Sequence, residues 1–274
     1  METQTSDTVL ASKQTGHVVT LTLNRPQARN SLSLELLMQL KAAVVSCSED
    51  PSVHVLTLAA NGPAFCAGHD LKELTAARAE ADGGAAFFDQ TMSACAEVMM
   101  AIIRCPKPVI ASVHATATAA GCQLVATCDL ALAADTAKFA TPGVNIGLFC
   151  STPMVALSRN VGRKQSMKML LTGDLIDAEE ARSIGLINDL VPPEELTKAT
   201  QKLAQQIAAK SPVTVKIGKE AFYRQIEMAL PDAYEFTREV MVANMLQADA
   251  EEGIKAFLEK RPPEWSKSGR SDAD

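Results

Sequence analysis

Hydrophobic positions recur with two periods along the chain. The stretch "HVVTLTLN" alternates and is rich in β-branched residues, which predicts a strand over residues 18–23. "VHVLTLAA" predicts a second strand over 53–60, "PVIASVH" a third and "CDLALAAD" a fourth. Between them the period lengthens to that of helices. "LELLMQLKAAVVSCS" follows Ser33, a candidate N-cap. A helix over 86–104 ends before Pro106, and another opens at about Ala119. Strands alternating with helices predict a mostly parallel sheet with crossover connections. After residue 150 the pattern changes to short helices with Gly or Asp stops, interrupted by a brief strand in "INDLVP". From Pro193 to Lys260 it is helical almost throughout, and the chain is expected to be disordered beyond Trp265.

Composition narrows the classes. Of the 274 residues, 47% are apolar, enough for a sizeable core. The net charge of −6, with no Lys/Arg block, argues against a nucleic-acid surface, which needs a positive face to meet phosphates. No apolar run approaches ~18 residues, so no membrane association is expected. The opening "METQTSDTVLASKQTG" is polar, with neither an apolar h-region nor an Arg-rich amphipathic stretch. That predicts a cytoplasmic protein, or a mitochondrial-matrix one if a transit segment has been removed. Seven scattered cysteines form no C-x-x-C pair and read as buried thiols in a reducing compartment. The four histidines show no H-x-x-x-H spacing, so no metal site is expected.

Two segments carry candidate chemistry. In "FCAGHDLKEL", Cys66, Ala67 and Gly68 permit a tight turn with close backbone approach. In "TATAAGCQL", the small residues Ala119, Ala120 and Gly121 sit where a strand gives way to a helix. A helix start offers free N–H donors and a positive dipole end. Each alone is also what ordinary loops and close helix packing look like. Together, two backbone donors from loops at the carboxyl ends of strands can hold one oxygen, which is the arrangement of an oxyanion hole for a thioester enolate. No G-x-S-x-G, Walker A or G-x-G-x-x-G occurs, so neither a serine hydrolase nor nucleotide chemistry is supported.

In the order of these segments the chain resembles the crotonase superfamily, the enoyl-CoA hydratase/isomerase family. The likeness runs from about residue 16 to 262, through "ATAAGCQLVATCDLALA", "FATPGVNIGLFCSTP" and "LTGDLIDAEEARSIGLINDLVP" to "EEGIKAFLEKRPPEW". It implies an α/β fold with a spiral core of ββα turns over residues 1–192. A helical trimerisation region would follow at 193–262, with a disordered tail at 263–274. It implies a homotrimer or hexamer and an acyl-CoA or enoyl-CoA ligand, with coenzyme A as part of the substrate and no separate cofactor. By position, His69 and Ala120 would supply the oxyanion N–H groups, Ala120 standing where Gly is usual. Arg25 and Ala28 in "RPQARN" match a loop against CoA. Ala67, Gly68, Asp70, Leu71, Lys72, Ala119 and Gly121 match positions lining the substrate channel. Phe257 and Lys260 match a tail that closes over CoA, in the same or a neighbouring subunit.

The resemblance also exposes a gap. Hydratases of this family use two glutamates to position water and move its protons; here those positions hold Gln123 and Gly143. An amide can hydrogen-bond a water but cannot take its proton near neutral pH. Gly143 has no side chain and is a candidate for a backbone conformation that disfavours one. Ser151 stands where dienoyl isomerases place an aspartate. Candidate substitutes are the side chains of His69, His114, Cys66 and Asp129. The expectations are an acyl-CoA enzyme of hydratase or isomerase type with weak activity, or an acyl-CoA binding protein with little turnover. An RNA-binding variant of the fold is disfavoured by the acidic balance.

Overall fold

The computed structural model describes residues 8–266. Its strands are β1 Leu10–Thr15, β2 Val18–Leu23, β3 Val55–Ala60, β4 Val109–Val113, β5 Ala117–Thr118, β6 Leu130–Ala134, β7 Lys138–Ala140, β8 Ile176–Asp177 and β9 Asp189–Val191. Its helices are α1 Leu34–Glu49, α2 Leu71–Ala77, α3 Ala85–Arg104, α4 Ala120–Thr127, α5 Pro153–Asn160, α6 Arg163–Thr172, α7 Ala178–Ser183, α8 Leu196–Ala208, α9 Pro212–Gln225, α10 Leu230–Met245 and α11 Ala248–Glu259. One six-stranded sheet runs β1-β2-β3-β4-β6-β9, parallel except for the β1–β2 hairpin. A small second sheet joins β5, β7 and β8.

Both faces of the large sheet are buried, so its central strands read as nearly continuous apolar runs. Alternate residues go to opposite sides. Leu21, Leu23, Leu56, Leu58 and Val113 join Leu36, Leu37 and Leu40 of α1 and Val98 and Ile102 of α3 in the main core. Val18, Val55, Ile110 and Leu132 face the other way and pack on Leu196 and Ala204 of α8. Helix α8 is thus part of the α/β core, covering the second face of its sheet. The boundary expected at residue 193 therefore shifts to the end of α8. Ser112 Oγ and Thr200 Oγ1, 3.1 Å apart, tie α8 to β4.

Helix α3 qualifies the membrane reading. At 20 residues with a mean hydropathy of 1.2, it is long and apolar enough to cross a bilayer by length and composition, alone in this among the described residues. Thr91, Cys95, Val98, Met99 and Ile102 form one buried face, as in a core helix. The expected disordered tail lies mostly outside the described residues. Its first part is tied down: Trp265 Nε1 donates to Ala209 O at 2.9 Å and Ser266 N to Asp249 at 2.8 Å.

Helix α9 is fastened by a buried charge. Lys219 Nζ donates to Asp129 Oδ2 at 2.6 Å and to the carbonyls of Ile102 and Lys107, both at 3.0 Å. Asp129 also accepts from Tyr223 OH at 2.8 Å and Val109 N at 2.7 Å. Three elements of the core therefore converge on one ammonium. Removing one partner of such a pair leaves an uncompensated buried charge, which costs about 3–5 kcal/mol. Lys219→Met is expected to lower unfolding stability by that amount, and Lys219→Met with Asp129→Leu by less than either single change. Urea unfolding midpoints of the three variants check this.

Candidate active site

The loop after β3 is moulded by a buried amide. Asn30, fully buried, donates from Nδ2 to the carbonyls of Asn61 and Ala64 at 2.7 and 2.8 Å, and its Oδ1 accepts from Arg25 N at 2.8 Å. Phe65, also fully buried, anchors the loop in the core. The chain then turns through Gly68, whose φ of +95° suits glycine. Gly68 O accepts from Leu32 N at 2.7 Å, and Asp70 N donates to Leu32 O at 3.1 Å. His69 lies between these two bonds, and its own N–H has no partner among the described residues.

The second loop comes from β5. Thr118 N donates to Cys66 O and Ala119 N to Ala140 O, each at 2.9 Å. Ala119 then adopts φ +50°, ψ −119°, which an L-residue takes up only at a cost of roughly 1–3 kcal/mol. This corner starts α4. Because Ala120 is the first helical residue, its N–H has no intrahelical acceptor and finds none elsewhere among the described residues. A Cβ on Gly68 would lie 2.9 Å from Ala119 Cβ and 3.5 Å from Ala120 N. The two loops, one following β3 and the other β5, are therefore in contact, and each leaves one N–H free beside that contact.

Gln123 lies one turn into α4, 5% exposed. Its Oε1 is 3.9 Å from Cys95 Sγ, a weak contact, and its Nε2 has no partner among the described residues. Gly143 is buried, but its φ is not positive, so the expected glycine-only conformation is absent. What excludes a side chain is crowding. A Cβ would lie 2.8 Å from Leu148 O and 3.0 Å from Cys150 Sγ, because the 144–150 segment folds back with Leu148 N donating to Gly143 O at 2.9 Å. Ser151 is exposed and bonds only locally, to Phe149 O at 3.4 Å.

The proposed substitutes for acid and base fare unequally. Burial pushes the Cys66 thiol up to about 12, opposed only partly by the Gly68 N–H, so it stays protonated. Burial does the same to Cys95, to about 12. Asp129 is committed to the Lys219 network, and His114 Nε2 donates to Gly62 O at 2.8 Å. His69 is held by burial at about 4, hence neutral near pH 7, and its buried Nε2 has no partner.

Of the expected ligand-lining positions, Ala28, Ala67, Leu71 and Lys72 lie on the 26–32 turn, the 61–70 loop and the first turn of α2, half-buried or exposed. Arg25 and Asp70 face each other instead, Nη2 to Oδ2 at 2.8 Å. Their pairing across 45 positions carries no sequence signal. Phe257 is exposed near the end of α11, and Lys260 caps that helix in a left-handed conformation. Helix α11 packs mainly on α9 and α10, so this chain does not bring them to its own cradle. A cleft of about 790 Å³ between α2 and α3 is lined by Leu34, Glu73, Ala77, Asp82 and Phe87, but by neither free N–H. Among the described residues no cluster could hold a metal ion.

Known proteins resemble this chain in sequence and fold. A family model described as enoyl-CoA hydratase/isomerase matches residues 13–268. Enoyl-CoA hydratase domain-containing protein 3, mitochondrial, from Xenopus laevis is 46% identical over 246 residues, 90% of this chain and 82% of that protein. A crystal structure of an enoyl-CoA hydratase from Mycobacterium smegmatis has a TM-score of 0.90 at 50% identity, covering 94% of this chain and 99% of that one. The human enoyl-CoA hydratase domain-containing protein 3 structure also has a TM-score of 0.90, at 44% identity, covering 94% and 100%. The crotonase resemblance drawn from the small-residue segments is thus borne out over nearly the whole chain. With the family model spanning residues 13–268 and a relative 46% identical over 90% of this chain, the chain belongs to the enoyl-CoA hydratase/isomerase family.

Proposed function

We propose that this protein binds an acyl-CoA thioester with the thioester oxygen between the N–H groups of His69 and Ala120, and that it is a slow hydratase at best. The observation that carries this is the pairing of two free, adjacent N–H donors with the lack of a carboxylate at positions 123 and 143. Such donors stabilise an enolate oxygen but move no protons. The CoA portion would run along Ala28, Ala67, Leu71 and Lys72. Membership of the family supports the thioester ligand.

Hydration of a crotonyl thioester needs a proton taken from water and one delivered to the α-carbon. Loss of a positioned acid or base commonly costs about 10²–10⁴ in rate. Crotonyl-CoA hydration, followed by loss of enoyl-thioester absorbance, is therefore expected to be far below ~10² s⁻¹. Gln123→Glu restores a carboxylate at nearly constant volume and is expected to raise the rate. Gly143→Glu is expected to destabilise the fold, since its Cβ meets the Leu148 carbonyl. A wild-type rate of ~10² s⁻¹ or more would show that a substitute acid/base operates.

A second reading is favoured by one observation, the unpartnered buried Nε2 of His69. In that reading the neutral imidazole is the base, and His69→Ala, which keeps the N–H donor, abolishes turnover. Its depressed proton affinity has a further consequence. An unfolded histidine takes up a proton near pH 6.5, whereas the folded His69 does so only at about 4. Stability is therefore lost as pH falls through that window. Urea midpoints between pH 7 and 5 are expected to fall less in His69→Gln than in the wild type.

The C-terminal helices support an assembly built on trimers. Phe222, Leu230, Tyr234, Met241, Leu246, Phe257 and Leu258 are all more than half exposed, and exposed apolar side chains gathered on one region are what an interface would cover. In a trimer, Phe257 and Lys260 could reach a neighbour's CoA. Sedimentation at micromolar concentration is expected to give a trimer or hexamer; a stable monomer would refute it. For the compartment, relatives that are mitochondrial by name support a mitochondrial location.

A further inference from the structure

We propose that Asp70 is the positioning residue that fixes the aim of the His69 N–H, through a charged latch to Arg25 and without touching a ligand. The inference rests on the oxyanion reading above. A free donor in a loop keeps its direction only if its neighbours are held. The residues on either side of His69 are both bonded to Leu32, through Gly68 O and Asp70 N. That bracket is only as firm as the segment carrying Leu32. This segment passes through Arg29 and Asn30, both with left-handed φ of about +50° (51° and 52°), a path that needs outside support.

The Asp70 carboxylate supplies it. Its Oδ2 accepts from Arg25 Nη2 at 2.8 Å and from Ser31 Oγ at 3.2 Å, and its Oδ1 accepts from Lys72 N at 3.0 Å, capping α2. Arg25 Nη1 also donates to Ser31 O, so the guanidinium straddles both sides of the turn. The two side chains are 18% and 8% exposed, which limits screening by solvent. One group thus ties the start of the 25–32 turn, its end, the oxyanion loop and the first turn of α2. Both Asp70 oxygens are thus engaged by protein groups. The alternative role is purely electrostatic, and it carries the opposite sign. A carboxylate beside the hole would oppose negative charge on the thioester oxygen, so its removal would strengthen binding of that oxygen. Positioning requires that its removal weaken it.

The test compares butyryl-CoA with S-butyl-CoA, the thioether that lacks only the carbonyl, by titration calorimetry. Two N–H donors to one oxygen should favour the thioester by about tenfold in the wild type. Asp70→Asn is expected to bring this ratio close to one, with S-butyl-CoA as the internal reference for any change in how the CoA portion is held. Arg25→Gln should do the same, and the double variant should be no worse than either, because the two residues act as one latch. Ser31→Ala removes only the hydroxyl's bonds to Asp70 Oδ2 and from Arg25 Nη1, at 3.2 and 3.4 Å, and should give an intermediate ratio, which keeps the test open if Asp70→Asn fails to fold. An unchanged or increased ratio in Asp70→Asn, or in Ser31→Ala if the former does not fold, overturns the latch. Wild-type protein that binds neither compound, or both equally, overturns instead the oxyanion reading beneath it.

Discussion

The site depends on a backbone contact between the first turn of α4 and the loop after β3. A methyl group on Gly121 would lie 2.1 Å from the carbonyl oxygen of Cys66, so the helix start is pressed directly onto that loop. Neither element could aim two donors at one point by itself. The contact brings them together, and the hydrogen bonds from Thr118 to Cys66 and from Ala119 to Ala140 fix the approach. The strain at Ala119 is confined to the residue where the strand must turn into the helix. Relaxing that corner would redirect the Ala120 N–H, so the strained corner and the free donor are two aspects of one turn.

Given that contact, the surroundings are polar but contain no proton acceptor of ordinary strength. Cys66 and Cys95 are kept as thiols and His69 as neutral imidazole, all by burial. Gln123 presents an amide. At the other glutamate position, the backbone of Leu148 and the sulfur of Cys150 fill the space a side chain would need. The second absence is therefore built into the path of the 144–150 segment, and one substitution there would not repair it. If it takes a thioester oxygen as proposed, such a corner is suited to binding the thioester more than to adding water across it.

What the sequence disclosed follows from how each element is buried. Strands β2, β3, β4 and β6 were legible because both faces of the sheet are covered and their residues are accordingly apolar. Ser33 caps α1 as expected, its side chain accepting from Leu36 N at 3.2 Å. Strand β1 escaped notice because "LASKQT" is a largely exposed edge strand whose pairing rests on backbone bonds to β2. Strands β5, β7 and β8, two or three residues each, are too short to show a period. Helix α8 was placed with the tail because its own periodicity cannot say which surface it meets. The close approach of the two loops was legible in their small residues, since it excludes larger ones. The Arg25–Asp70 latch and the crowding at Gly143 were not, since each depends on segments that meet only after folding.

The same logic separates the C-terminal helices into two roles. Helix α9 is bound to the core by Lys219, whose ammonium meets the carbonyls of Ile102 and Lys107 and the carboxylate of Asp129. Only a charge with that many partners is tolerable so far from water. Several exposed residues of α9, α10 and α11 and their ends are apolar, among them Phe222, Tyr234, Leu246 and Phe257. The buried lysine therefore fixes the orientation of α9, and of α10 and α11 packed on it, relative to the core.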